Sequence, residues 1–524
     1  MKTTLNRNRY LLAEKTFERI DVFEQRSSIG GIWNYTPEDR DEDIFTVPQT
    51  DPSGKIDKSI WRSSSQLSHI QNGFNEERKG KKIASFISPL YERLETNIQR
   101  GLMGFSDLDW PQESQLFPKH ETVLEYIEKY GQDVKHLVKF ETQVVDVGIE
   151  ESSTDENPIT NQDCWKVKTR DLETMEEKEE IYDVVIVANG HFIVPYVPDI
   201  EGIKEWNDKY PGIISHSKYF RKPEEFEGKV SLEYYLTESF KCDIIFESPL
   251  ILLKKVVVVG NSASGIDVSS QLATYCKLPV LCSQKSTSML FPAPDPRKLE
   301  LPQISAFIPE TRSVRFENGR VESEIDAIVF CTGYFYSLPF LKSLEPQLIR
   351  DGTHVQHTYL HLFYSPRPTL SFLALPQRVI PFPVAEAQSA VLARVYSGRL
   401  SLPPYEEMRE WEDKTIKEMG SGRLFHFLPF PKDANYINNM SNWALAAPSR
   451  EGLGNKGKSK APPTWGPYEV WARENFPKIR RAFIAKGEER NKVRCIKELG
   501  FNYEEYLKEM AMDKGKLCQT PNVA

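Results

Sequence analysis

The hexapeptide Gly260-Asn-Ser-Ala-Ser-Gly265 follows the apolar run Lys255-Val-Val-Val-Val259 and precedes a segment of helical pattern. A strand, a glycine turn and a helix in that order form the context in which a dinucleotide diphosphate is bound. Gly260 permits the tight turn, and the start of the helix offers free N–H groups to phosphate. Gly265 lets helix and strand pack closely. The middle glycine of the usual G-x-G-x-x-G is replaced by Ser262, which is small enough to donate to phosphate itself; Ser264 stands at the helix start beside it. The same residues also fit a strand-to-helix turn with no ligand, so the motif needs support from elsewhere.

The end of the next strand discriminates between nucleotides. A carboxylate there holds a ribose diol and repels a 2′-phosphate, whereas a basic residue accepts the phosphate. Here the strand ends Leu281-Cys-Ser-Gln-Lys285 with no acid, which favours NADP over NAD, with Ser283 and Lys285 as phosphate contacts. Nearer the front the polarity is opposite. Ile20-Asp-Val-Phe-Glu24 reads as a strand ending in a carboxylate, the place from which Glu24 would take a ribose diol, as in FAD sites. Gly30, Gly31 and Trp33 follow, the glycines giving a flavin room to approach the backbone. His354, His357 and His361 have suggestive spacing, but their Gly-Thr and aromatic neighbours point to a turn and packed structure rather than a metal site. No nucleophile elbow, Walker lysine loop or H-E-x-x-H motif is present.

These groups need an α/β framework to place them. A helix is expected over Glu121–Tyr130 and strands between Val134 and Thr169, broken by an acidic loop at 150–163. Buried strands are expected at Tyr182–Ala188, Lys255–Val259, Pro279–Ser283 and Glu324–Cys331, with a helix over Ser264–Thr274. Two of these strands end in similar turns, at Asn189-Gly190 and Thr332-Gly333, which hints at two related α/β units. The last third is helical and aromatic-rich, with a basic Gly/Pro/Lys loop at 450–463 expected on the solvated surface. The chain has 524 residues, 40% hydrophobic, enough for two or three domains or one core with a domain inserted in it. Lys+Arg 67 against Asp+Glu 75 gives a net charge of −8, which argues against nucleic acid as the partner. Seven scattered cysteines without a C-x-x-C fit a reducing compartment. No apolar run is long enough for a membrane span, and the charged first twenty residues lack a signal peptide, so a cytoplasmic protein is expected.

Taken together, these residues resemble the flavin-containing monooxygenases, particularly their soluble fungal branch. Tyr210-Pro-Gly-Ile-Ile-Ser-His216-Ser-Lys-Tyr-Phe220 matches the family's F-x-G-x-x-x-H-x-x-x-(Y/F) signature, with Tyr210 for the usual Phe. Asp183–Gly190 and Phe330-Cys-Thr-Gly333-Tyr334 are similar to the strands linking the family's two nucleotide domains. Leu90-Tyr91 through Thr96-Asn97, then Gly101–Phe105, resembles the flavin-face segment. Phe382-Pro through Glu386-Ala-Gln388 resembles the segment packed near the ring in the second half.

The resemblance implies two Rossmann-like dinucleotide-binding domains, the NADP domain inserted in a discontinuous FAD domain. The expected division is 1–195 and 331–524 for FAD and 196–330 for NADP. It implies that NADPH reduces FAD, that O2 adds to give a flavin hydroperoxide, and that an amine nitrogen or a thiol or thioether sulfur of a small molecule attacks the distal oxygen. Asn97 is the residue the resemblance assigns to catalysis; the cofactor residues are Glu24, Gly30, Gly31, Trp33, Thr96, Gly260, Ser262, Ser264, Gly265, Ser283, Lys285, Gly333, Glu386 and Gln388. A homodimer is compatible with it. A Baeyer–Villiger monooxygenase is the first alternative, disfavoured because the signature ends Ser-Lys-Tyr-Phe without Trp-Pro. An inactive, NADP-binding product of a defective gene model is the second.

Two departures from the family pattern carry expectations of their own. The match begins only at Leu11, so the first strand and the Gly-rich turn for the FAD diphosphate are expected to be missing, leaving an unpaired position in the sheet. Residues 230–254 intervene between Gly228-Lys229 and Lys255, where the family passes almost directly to the strand. Val230-Ser231 can be encoded by GTAAGT and Lys254 by AAG, so a retained intron is expected there.

Overall fold

The structure, a computed structural model, describes residues 9–37, 45–54, 59–63, 82–150, 164–228, 253–288 and 294–517. Of the interval 230–254 expected to be an insertion, 230–252 lies outside the described residues, as does most of the acidic loop at 150–163.

At the front, a helical turn over residues 9–14 leads to β1 (Val22–Phe23), which pairs in parallel with β2 (Val138–Lys139), Val22 opposite Val138. Helix α1 (His120–Gly131) buries Val123, Leu124, Ile127 and Tyr130, a 3- to 4-residue repeat that lays one face against Ile29, Trp33 and Phe105. An antiparallel meander, Thr142–Glu150, Cys164–Asp171 and Glu177–Tyr182, follows β2. It runs into β3 (Val185–Val187), shorter at its start than the apolar run because Glu177–Tyr182 already forms a strand of the meander.

The middle of the chain builds a five-stranded, all-parallel sheet. Its strands are β4 (Ile214–His216), β5 (Val256–Val259), β6 (Val280–Ser283), β7 (Lys298–Leu301) and β8 (Ala327–Phe330), in spatial order β4-β8-β5-β6-β7. Val256, Val257 and Val258 are at most 1% exposed, as expected for a central parallel strand covered on both faces. Helix α2 (Ala263–Leu272) connects β5 to β6 and covers one face.

The chain then returns to the first half. Strands β9 (Thr358–Tyr359), β10 (Phe363–Tyr364) and β11 (Leu370–Phe372) form a sheet whose last member pairs in parallel with β3, Leu370 opposite Val185. Helix α3 (Pro381–Tyr396) is buried at every residue from Phe382 to Arg394, so it is the axle of the largest core rather than a surface helix. Helices α4 (Lys432–Leu445) and α5 (Phe476–Ala485) close that core with Ala434, Ile437, Ile479 and Phe483.

Among the described residues β1 pairs only with β2, and β3 only with β11. The two strands share no partner among the described residues. Tyr182, just before β3, spans to β1 instead: its hydroxyl donates to Asp21 Oδ2 at 2.6 Å, and its ring meets Phe23 edge-on. The loop at 450–463 is exposed at 451–452 and 454–456, as expected of a surface loop, but its later part is tied into the fold. Arg394 donates to the Lys458 and Lys460 carbonyls at 3.0 and 2.9 Å, Tyr10 donates to the Ala461 carbonyl at 2.7 Å, and Ser459 is 2% exposed. Arg394 Nη1 is taken by the Ala390 carbonyl of its own helix at 3.0 Å, so the two loop carbonyls satisfy Nη2, a pairing that composition alone could not reveal.

The histidines at 354–361 are packed, not surface groups. His426 Nε2 accepts the Val355 N–H, so its proton sits on Nδ1 and points at His361 Nδ1, 3.0 Å away. Burial lowers the His361 pKa from 6.5 to about 3, and that of His216, also fully buried, to about 3. The unfolded chain binds these protons below pH 6.5 and the folded chain refuses them, so stability falls as pH drops below about 6.5. Urea unfolding between pH 7.5 and 5 checks this. Each such histidine contributes a slope approaching ~1.4 kcal/mol per pH unit, and His361→Gln removes one such contribution.

Candidate functional site

The β5–α2 turn meets the requirements of a diphosphate cradle. A Cβ at Gly265 would stand 1.8 Å from the Gly260 carbonyl oxygen, so the helix can approach the strand this closely only without a side chain. A Cβ at Gly260 would stand 2.6 Å from the Cys331 carbonyl, and its φ of +109° is one L-residues avoid. Ser262 caps α2 without a side-chain hydrogen bond, and the first bond of the helix runs from Ile266 N to Ser262 O at 3.0 Å. The N–H groups before Ile266 are thus left to a ligand or solvent. Ser264 lies in that first turn.

The partner strands lock this turn in place. Gly260 N donates to Ser283 O at 2.8 Å, and Cys331 N to Val259 O at 2.7 Å. His216, at the end of β4, accepts from Lys218 N on Nδ1 at 3.0 Å, which puts its proton on Nε2, 3.0 Å from the Gly333 carbonyl. Gly333, with φ +87°, also accepts from Tyr196 N. The histidine of the signature therefore ties two strand ends together, and burial depresses its pKa despite the bond to Gly333, which favours the protonated form.

The expected 2′-phosphate contacts separate. Ser283 is 2% exposed and its hydroxyl donates to Pro302 O at 3.1 Å, so it is already engaged. Lys285 is exposed on the loop that follows β6.

The residues assigned to the flavin side fall into two groups. Asn97 is exposed on a strap whose neighbours are fixed: Thr96 N donates to Pro118 O at 2.9 Å, Thr96 Oγ1 to Ile98 O at 2.8 Å, and Gln99 is 2% exposed. Glu95 is gripped by Arg490 at 3.2 Å. Upstream on the same strap, Arg221 donates to the Ser88 and Leu90 carbonyls at 3.1 and 2.8 Å, and Tyr91 donates to Asp267 on α2. By contrast, Glu386 and Gln388 face inward. Glu386 accepts from Ser106 N and Oγ at 2.9 and 2.6 Å, while burial raises its pKa. Gln388 accepts from Ala374 N and donates to Tyr436, so both hold the framework. Glu24 is half-buried and one of its oxygens accepts from Arg26 N at 2.9 Å. Gly30, in the left-handed region, leaves room for Leu124 and Asn34, and Gly31 and buried Trp33 form the short helical turn after it.

Sequence reading missed the fastenings: Arg221, the Tyr91–Asp267 hydrogen bond, and Asn261, whose amide reaches Gln284 at 2.8 Å. Their partners are remote in sequence, so only the asparagine inside the glycine turn carried any signal.

The site is that of a dinucleotide-dependent oxidoreductase in which a nucleotide helix is fastened to a second α/β unit. The flavin-binding monooxygenase-like family model matches residues 79–251 and 302–450, and the chain belongs to that family. Flavin-containing monooxygenase FMO GS-OX3 of Arabidopsis thaliana is 31% identical over 74% of this chain and 71% of its own length. Flavin-containing monooxygenase ustF2 of Aspergillus flavus is 26% identical over 89% and 94%. Among solved structures, S-allyl-L-cysteine S-oxygenase from Allium sativum covers 97% of both chains at 26% identity, with a TM-score of 0.68. Tmm from a Pelagibacter strain, 20% identical, covers 92% and 89% with a TM-score of 0.61 and shares the fold. The fold is accordingly α/β with two Rossmann-like dinucleotide-binding domains, and the family's cofactors are FAD and NADPH.

NADPH fits the β5–α2 cradle, where a Cβ at either glycine would collide with backbone. Of the residues expected at FAD, Glu24 keeps one carboxylate oxygen on Arg26 N and Asn97 is exposed. Among the described residues no helix is long and apolar enough to cross a membrane. Gly265→Ala forces α2 off β5: NADP+ binding, read by calorimetry, is expected to disappear, with stability lower by about 1–3 kcal/mol.

Proposed function

We propose that this chain is an FAD- and NADPH-dependent monooxygenase that places one oxygen atom of O2 on the sulfur of a small thioether or thiol, with tertiary amines as secondary substrates. The observation that carries the choice of sulfur is the end-to-end likeness to S-allyl-L-cysteine S-oxygenase, 97% of each chain at 26% identity. In this reading residues 1–195 and 331–524 serve FAD, and residues 196–330 serve NADPH. The sheet composition supports that division: the five parallel strands come from 214–330, while β3 pairs with β11 across that interval. The free state of Cys164, Cys276, Cys282, Cys331 and Cys495 supports a reducing, cytoplasmic setting. Nothing favours the Baeyer–Villiger or inactive readings over this one.

The flavin supplies the oxygen-activating chemistry, and the protein's part is to bind, orient and exclude water. The α2 N-terminus and Gly260 receive the nicotinamide dinucleotide phosphates, and Lys285 receives the 2′-phosphate. The strap fixed by Thr96, Glu95 and Tyr91 presents the Asn97 amide, a neutral donor and acceptor that orients the reacting groups without taking a proton. Because no acid or base of the protein is required to change charge, turnover should depend little on pH between 7 and 9.

The test is oxygen-18 incorporation by the NADPH-supplied protein with a panel of S-alkyl cysteines, thiols and tertiary amines. Labelled sulfoxide is expected, and amine oxide formed in preference to it overturns the choice of sulfur. Asn97→Ala should cut product per NADPH by about 10–100-fold while hydrogen peroxide release rises; unchanged product yield removes Asn97 from the site.

A further inference from the structure

Strand β6 ends without a carboxylate, yet the fold brings one beside it. Strands β6 and β7 pair in parallel with Cys282 opposite Glu300, and Gln284 Nε2 donates to Glu300 Oε2 at 3.0 Å. Gln284 Oε1 accepts from Asn261 Nδ2 at 2.8 Å, and the same Asn261 amide donates to the Ser286 carbonyl. The orientation of Gln284 is set by both neighbours. Flipped, it would turn its NH2 on the NH2 of Asn261 and its oxygen on a carboxylate. One chain of polar side chains thus joins the phosphate turn, the loop after β6 and strand β7. It lies where the adenosine end of a dinucleotide bound at α2 must pass, at the carboxyl ends of β5 and β6.

A carboxylate at that point is what selects a free ribose diol and repels a 2′-phosphate. Glu300 is exposed and is joined there to a neutral amide. Lys285 is the next residue after that amide, so the loop presents a cation while the nearby anion is engaged.

We propose that Gln284, oriented by Asn261, determines the preference for a dinucleotide carrying a 2′-phosphate by holding the Glu300 carboxylate away from the adenosine ribose. The inference rests on the reading of β5–α2 as the NADP site and adds the residue that keeps NAD and NADP apart. Removal of the Gln284 amide frees Glu300 to swing to the ribose, where it repels the phosphate. Both groups are near solvent, so the effect is modest and shrinks with salt.

The test is calorimetric titration of the full chain with NADP+, NAD+ and 2′,5′-ADP at low and high salt. The variants are Gln284→Ala, Glu300→Gln and the double variant. Gln284→Ala should weaken NADP+ and 2′,5′-ADP by about 3–10-fold at low salt, and less at high salt, with NAD+ unchanged or tighter. Glu300→Gln alone should bind NADP+ at least as well as the parent. In its background the Gln284→Ala loss should vanish, since no carboxylate is left to release. Equal loss of NAD+ and NADP+, no loss at all, or a loss that persists in the double variant overturns the proposal. A parent chain that binds neither dinucleotide overturns the NADP reading itself, whereas one that binds NADP+ normally confines any failure to the role of Gln284.

Discussion

Backbone meets backbone at the β5–α2 turn, and the site is arranged around that contact. The absence of a side chain at Gly265 brings α2 against the Gly260 carbonyl, and the absence of one at Gly260 brings the turn against Cys331 at the end of β8. Three strand ends and a helix start therefore converge within the reach of a single diphosphate. His216 closes the same knot from the far edge, donating to Gly333 from the only nitrogen left free by Lys218. Neutral imidazole is the form that makes both bonds, and burial favours it over the imidazolium although the Gly333 bond alone would favour the charge.

The helix so placed is worth little to a monooxygenase unless the group it delivers meets the oxygen chemistry. In the proposed reading the strap from Ser88 to Asn97 joins the two. Arg221, 2% exposed, anchors its start through two carbonyls, Tyr91 reaches Asp267 on α2 itself, and Glu95 is held from the C-terminal region by Arg490. A buried arginine bonded to main-chain carbonyls is costly to displace, because any movement leaves its charge unpaired in a poorly solvated place. The exposed amide of Asn97 inherits its position from these neighbours.

The parts legible in the sequence were those encoded locally. Val256–Val259 is apolar on both faces and sits in mid-sheet, the glycines of the turn have steric reasons visible in their spacing, and α1 followed its helical repeat. What stayed hidden was long-range. Glu386 and Gln388 are polar residues on a helix matched to the cofactor region, yet Ser106, Ala374 and Tyr436 consume them, and those partners lie up to 280 residues away. Ser283 is lost to Pro302 in the same way. A polar side chain read from sequence has an address but no partner, and partnership decides whether it serves the ligand or the fold.

The front half shows what happens where hydrogen-bonded strands are not the organising device. Strands β1 and β3 share no ladder among the described residues, so the separation of Glu24 from the second half of the fold is not set by sheet register. Side chains take over. Arg399 grips both oxygens of Glu14 at 2.9 Å in a pair that is 4% and 0% exposed, Tyr10 bonds Ala461, and Tyr182 reaches Asp21. A fully buried, bidentate ion pair adds little net stability over an apolar contact, but it tolerates no sliding, since either charge left alone carries a desolvation cost of several kcal/mol. That intolerance fixes the 9–14 turn to the segment just past α3. The β5–α2 side is therefore held by backbone and the front of the chain by buried side chains.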